Sequence, residues 1–136
     1  MNRIEAYITR IEHCDNIAAV SFNADGQPMR MMALGLTSPI AVGTRVILGA
    51  KASHVALAKK LEGNLSISNR LEAVIETVET GALLCSVTLR VGPARVESII
   101  TRDSAETMAL HEGDSVMALI KESDLSILEI VEEADA

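Results

Sequence analysis

Two lysine triplets carry the chain's clearest chemistry. Lys51-Ala52-Ser53 and Lys121-Glu122-Ser123 each set an ammonium two residues ahead of a hydroxyl, at an offset of 121 − 51 = 70. An ammonium offers donors and no acceptor, and a hydroxyl adds another donor, so the pattern suits a small anion. The alternative is that each lysine ends a strand and guards its edge against stray pairing. Recurrence of the lysine in both halves is what sets ligation beside that reading.

Other reactive side chains are dispersed. His13, His54 and His111 lack metal-ligand spacing and read as surface residues. Cys14 and Cys85 form neither a ligand set nor a CxxC motif, so buried reduced thiols are expected. No nucleophile–base pair, glycine-rich phosphate loop or carboxylate cluster stands at a recognisable spacing, which argues against an enzyme.

Composition narrows the partners. Apolar residues make up 49% of the 136, so core material is ample, but aromatics are only 1% (Tyr7 and Phe22). Few rings are available for base stacking, and a formal charge of −7 opposes phosphate backbones, so no nucleic-acid partner is expected. Met29, Met31, Met32, Met108 and Met117 are expected to fill core or interface. No apolar run approaches the roughly 20 residues that span a bilayer. The opening MNRIEAYITRIE lacks a signal-peptide core. A soluble cytoplasmic protein without a membrane partner is expected.

The elements that must position the lysines come from a repeat. Leu65 to Leu128 reads as one complete small β unit, and the segment before it as a worn second copy. Asn2-Arg3-Ile4-Glu5-Ala6 matches Asn69-Arg70-Leu71-Glu72-Ala73 at an offset of 69 − 2 = 67. Gly43-Thr44-Arg45-Val46 matches Gly113-Asp114-Ser115-Val116 at 113 − 43 = 70. With the lysine triplets, three blocks recur in order. The drift of three reads as extra loop length in the first copy.

Strand signals correspond as well. Cys85, Val87, Leu89 and Val91 alternate with polar residues, as do Ala18, Val20 and Phe22 with Ala19, Ser21 and Asn23. Gly92-Pro93 and Asp25-Gly26 mark the turns that follow, and Val96 to Thr101 reads as a return strand. A short helix is expected over Ser104 to Leu110, with Asp103 as N-cap and Glu106 closing a capping box. Ser115 to Lys121 and Leu125 to Leu128 complete the unit. The expected fold class is all-β: two tandem OB-like five-stranded β-barrels, each with one short helix. They occupy residues 1–58 and 65–136, joined by a polar linker at 59–64 and ending in a solvated acidic tail from Glu129. A unit of about 65 residues buries only about 60% of its unfolded surface, so burial between units and between chains is expected.

Ser66-Ile67-Ser68-Asn69, the central IITRDS and the closing ALIKES together resemble the Mop (TOBE-type) molybdate-binding domain. The whole chain, with one clear and one degenerate repeat, resembles the two-repeat molbindins. The resemblance is carried by the order and spacing of these motifs. It implies a homo-oligomer, a trimer of two-repeat chains, with molybdate or tungstate held between barrels for storage or buffering and no organic cofactor.

The same resemblance implies the ligands. Ser66 and Asn69 match the family's opening Ser-x-Arg-Asn, with Ser68 in place of arginine. Thr101 and Ser104 keep its Thr-x-x-Ser. Lys121 and Ser123 flank Glu122 in the closing motif, where the family has a small residue after the lysine. In the first copy the opening shrinks to Met1-Asn2, and Thr-x-x-Ser blurs within Leu34-Gly35-Leu36-Thr37-Ser38. Lys51, Ala52 and Ser53 stand intact. A tetrahedral dianion has acceptors only, so a selective site presents hydroxyls, backbone N–H groups and a cation, and aims no carboxylate inward. Thr101 and Ser104 could instead be strand-end and cap residues, and Ser66 and Ser68 could simply alternate along a strand. The competing functional reading is a Mop-like oligomeric interaction or regulatory module whose anion binding is weakened or lost.

Overall fold

The computed structural model of the protein describes residues 1–36 and 39–132, the side chain of Glu132 excepted. Alternation of apolar residues builds the strands. In β2 (Ile17–Ala24) the residues Ala18, Val20, Phe22 and Ala24 face inward, and in β7 (Leu84–Val91) Cys85, Val87, Leu89 and Val91 do so. Each folds back through a two-residue turn, Asp25-Gly26 into β3 (Gln27–Leu34) and Gly92-Pro93 into β8 (Ala94–Thr101). Asp25 and Gly26 both take positive φ, 50° and 88°, the mirror-image turn that matches strand twist.

The remaining strands are β1 (Asn2–Cys14), β4 (Arg45–Ala50), β5 (Val55–Ala58), β6 (Asn69–Thr80), β9 (Ser115–Ile120) and β10 (Ser126–Glu132). They form two five-stranded sheets, ordered β10-β4-β1-β2-β3 and β5-β9-β6-β7-β8. Each sheet therefore takes its fifth strand from the other half of the chain. Val55 pairs with Ile120, while Ser126 pairs with Gly49. The expected division at residues 58 and 59 describes the sequence repeat, and the sheets cross it. The second sheet closes on itself where Ser98 Oγ donates to the Val55 carbonyl at 2.6 Å. The exchange fuses both interiors into one cluster, with Phe22, Val46 and Leu48 in the same core as Leu71, Leu89 and Ile120.

The repeated blocks have a local cause. β1 and β6 each carry an irregularity, at Ile8/Arg10 and Ile75/Thr77, and 75 − 8 = 67. The Gly43 N–H bonds the Ile8 carbonyl and the Ile8 N–H bonds the Thr44 carbonyl, at 2.8 and 2.9 Å. Gly113 and Asp114 clamp Ile75 at the same two distances. Both glycines sit at positive φ, 95° and 88°, which a side chain would oppose.

Several expectations need correction. The connection before β9 spans 102–114 and that before β4 spans 35–44, so the three extra residues lie in the second copy (13 − 10 = 3). They accommodate α1 (Arg102–Thr107), which starts earlier than expected because Thr101, not Asp103, is its N-cap. Glu106 closes no capping box; its carboxylate accepts from Arg102 instead. Among the described residues α1 is the sole α-helix, and the first copy contributes a 3-10 turn at Ala52–His54, matched by one at Glu122–Asp124. Cys14 is exposed, unlike buried Cys85. Met29 and Met31 are in the core, but Met32 is half exposed. The acidic tail is strand through Glu132, with Glu129 paired to Arg3. Residues 65–68 lie outside any strand, so the serines do not alternate along one.

The two halves are also pinned by a reciprocal amide clip. Asn69, fully buried, accepts from the Arg30 N–H and donates to the Arg30 carbonyl, at 2.7 and 2.8 Å. Asn2 makes the same pair with Glu97, both bonds 2.8 Å long. A carboxamide copies a peptide group, so each asparagine satisfies an edge strand of the other sheet. Replacing Asn69 with Ala leaves the Arg30 backbone groups unpaired. N69A is expected to lower stability by about 2–4 kcal/mol in urea unfolding.

The linker is anchored rather than free. Lys59 donates to the Met108 and Ala109 carbonyls and pairs with Asp114 at 3.1 Å. The His111 backbone N–H, together with Lys59, holds the Asp114 carboxyl below its ordinary value of 3.8. A depressed acid stabilises the fold above its ordinary value and loses that contribution as pH falls toward the folded one. D114N is therefore expected to flatten the stability–pH slope below pH 3.8, read by urea unfolding across the acid range.

Candidate functional site

Pairing between β6 and β9 places Asn69 opposite Ile120, which carries Ser68 alongside Lys121 just beyond the sheet. The opening and closing motifs thus meet at one corner. Ser68 and Glu122 touch there, next to Lys121; Ser66, Ser68, Lys121 and Ser123 are exposed and Glu122 is half-buried. The equivalent corner of the first sheet lies where Asn2 pairs with Ala50, so Met1 flanks Lys51-Ala52-Ser53.

The two lysines stand in the same backbone setting. Lys51 has φ −67° and ψ 142°, Lys121 φ −62° and ψ 143°, and each leads into a 3-10 turn. His54 N–H bonds the Lys51 carbonyl and Asp124 N–H the Lys121 carbonyl, both at 2.9 Å. The turn at 52–54 packs on β8 of the second sheet and that at 122–124 on β3 of the first. His54 Nδ1 and Asp124 Oδ1, related by 124 − 54 = 70, approach to 3.7 Å and join the two turns. Both lysine corners therefore lie at the junction of the barrels. Neither the Lys51 nor the Lys121 ammonium has a hydrogen bond or ion pair to another described residue.

Other candidates are spoken for. The Asn69 carboxamide is committed to Arg30, in keeping with a structural role. Thr101 Oγ1 accepts from Ser104 N–H at 3.1 Å and donates to Ser104 Oγ at 2.9 Å, capping α1. Arg70 spends its guanidinium on the Ile67 and Leu65 carbonyls, at 2.9 and 2.7 Å, and so braces the loop that carries Ser66 and Ser68. Arg90 and Arg95 share Glu76, whose carboxyl the Arg90 hydrogen bond and then Arg95 hold below the usual range. Thr37 and Ser38 lie outside the described residues.

One side chain that was not weighed as a site group faces the second corner. Glu122 Oε1 accepts from the Ser68 N–H at 2.7 Å and the Ser68 hydroxyl at 3.1 Å. The signal for it was the departure from Ala52 at the matching place. The two corners consequently differ in charge: Lys51 stands with Ala52 and His54, Lys121 with Glu122 and Asp124. Among the described residues no cluster of His, Cys, Asp and Glu could hold a metal ion, and no helix is long and apolar enough to cross a membrane.

Comparison with known proteins places this arrangement. The TOBE domain family matches residues 65–127. Molybdenum-pterin-binding protein 3 of Clostridium pasteurianum is 35% identical over 66 residues, which is 48% of this chain and 97% of that protein. The chain belongs to the Mop family of TOBE-domain proteins. Molybdenum-pterin-binding protein MopB of Rhodobacter capsulatus is 39% identical over 87 residues, 62% of this chain, and the chain spans 32% of MopB's length. A crystal structure of the cytoplasmic molybdate-binding protein ModG with molybdate bound superposes with a TM-score of 0.89 at 24% identity, covering 96% of both chains. That likeness establishes the two-barrel OB-like architecture. As a Mop-family chain the protein uses Thr101 first as a cap: T101A is expected to cost about 0.5–2 kcal/mol in chemical denaturation, with T101S close to wild type.

Proposed function

We propose that the chain is a cytoplasmic binding protein for molybdate or tungstate, without catalytic activity, that stores or buffers the anion. The observation that carries this reading is the pair of Lys-x-Ser corners. They share one backbone conformation, sit at the barrel junction and leave both ammonium groups without a partner among the described residues. The names of the Mop relatives and of ModG point to the same ligand class.

A dianion with four acceptor oxygens needs more donors than a single corner offers, and a chain of charge −7 must overcome its own mean field locally. A site completed by a second copy meets both needs. An apolar groove lined by Ile17, Met32, Leu34 and Ile127 also reaches Ser123, so a surface suited to a neighbouring chain adjoins a corner. Exposed Met32 and Leu34 are costly in water and favour such burial. We read the assembly as a trimer of two-repeat chains. Lys51, Ser53, Lys121 and Ser123 are the proposed contacts, with Ser66 and Ser68 supplying hydroxyls at the margin and Ala52 leaving room, while Thr101 and Ser104 stay engaged in capping α1.

Calorimetric titration with molybdate, tungstate and sulfate, alongside native mass measurement, tests the reading. K51A is expected to weaken molybdate about tenfold to hundredfold, the value of one charge-assisted hydrogen bond. The absence of both heat and thermal stabilisation at millimolar anion would sink the proposal, since a ligand specific for the folded state must raise its stability.

A further inference from the structure

We propose that Glu122 is a built-in surrogate for the anion, so that the Lys121 corner is closed by the protein's own carboxylate while the Lys51 corner stays open. The inference rests on the oxyanion reading above and divides its two sites. A carboxylate and a tetrahedral oxyanion are both acceptor-only and satisfied by the same donors. Glu122 takes two such donors from Ser68, its backbone N–H at 2.7 Å and its hydroxyl at 3.1 Å. Its partners are neutral. It forms no ion pair with the adjacent Lys121 or with any other described cation, so the contact is not an ordinary surface salt bridge.

The chain's two departures from the Mop pattern in this corner touch one another. Ser68 stands where the resemblance places arginine, and Glu122 stands where it places a small residue. An arginine at position 68 would bring a cation for the anion; serine brings a hydroxyl that bonds the carboxylate instead. The first copy lacks this device, because Ala52 at the equivalent turn has no charge and no acceptor. An incoming dianion at Lys121 meets Glu122 and Asp124 in the same turn and must displace the Glu122–Ser68 bonds. At Lys51 the turn carries Ala52 in place of Glu122, and Asp124 is held against His54 at 3.7 Å.

The test measures molybdate bound per chain by equilibrium dialysis and elemental analysis, with calorimetry, on wild type, E122A, E122Q, K51A and the K51A/E122A double variant. Circular dichroism and native mass check that each variant keeps its fold and assembly. E122A is expected to raise the anion bound per chain, toward twice the wild-type value, by freeing the Ser68 donors. E122Q keeps an acceptor oxygen for Ser68 but loses the charge, so it should fall between the two. K51A should lose most wild-type binding, and K51A/E122A should regain it at the second corner.

Wild type that binds, with no gain in E122A and no binding by K51A/E122A, overturns this inference and leaves the proposed function standing. Binding by E122A but not by wild type contradicts the open Lys51 corner and overturns the inference as stated together with the wild-type function. No binding by either protein overturns both.

Discussion

The exchange of fifth strands is the constraint on which the rest depends. A barrel of this size is marginal by itself, and with one phenylalanine and one tyrosine in the chain it has little bulk to add. Handing β5 to the second sheet and β10 to the first lets Val55 and Leu125 carry apolar area across the divide. Edge strands that would otherwise expose peptide groups are then met by Asn2 and Asn69. The crossing also fixes where the lysine corners fall. Each turn after a lysine is the point at which the chain leaves one sheet for the other, so Lys51 and Lys121 are held at the junction by topology.

Symmetry explains why the corners resemble each other, and its breaking explains how they differ. Backbone dihedrals at Lys51 and Lys121 agree within a few degrees because the same ladder, clamp and turn precede both. Side chains are under no such rule. Thr44 accepts the Ala41 N–H through a hydroxyl, while Asp114 accepts the His111 N–H through a carboxylate and so also captures Lys59. Where the second sheet closes with the Ser98–Val55 hydrogen bond, the first places buried Met31 and Leu125. One copy has been tuned toward fixed polar contacts, the other toward apolar ones.

Much of this was legible in the residues. Period-two alternation located β2 and β7, the turn dipeptides located the hairpins, and the repeated blocks marked Gly43 and Gly113, whose clamping of the β1 and β6 bulges is visible only in the structure. The strand exchange was not legible, because Val55–Ala58 reads equally well as the last strand of its own unit; only spatial pairing decides it. Thr101 and Ser104 were legible as strand-end and cap residues, but the N-cap was assigned to Asp103 because Asp103 and Glu106 offered a familiar capping pattern nearby. Asn69 was read as a ligand although its recurrence as Asn2 fits a structural clip equally well. Glu122 was visible as a departure from Ala52, but its partner, Ser68, lies 54 residues away in sequence.

If Glu122 acts as proposed, that last contact diversifies a binding fold at small cost to the scaffold. The Glu122–Ser68 bonds involve a turn and a loop beyond the ends of β9 and β6, and the residues that build the ladders take no part. Charge at such a corner can be inverted without disturbing Ile120, Leu71 or the core behind them. A duplicated chain is well placed to use that freedom, since one corner can retain the ancestral donors while the other changes. On the proposed reading, anion affinity is set at the turn following each lysine, and stability by the exchanged strands and the two asparagines. The two properties draw on separate residues, which allows them to vary independently.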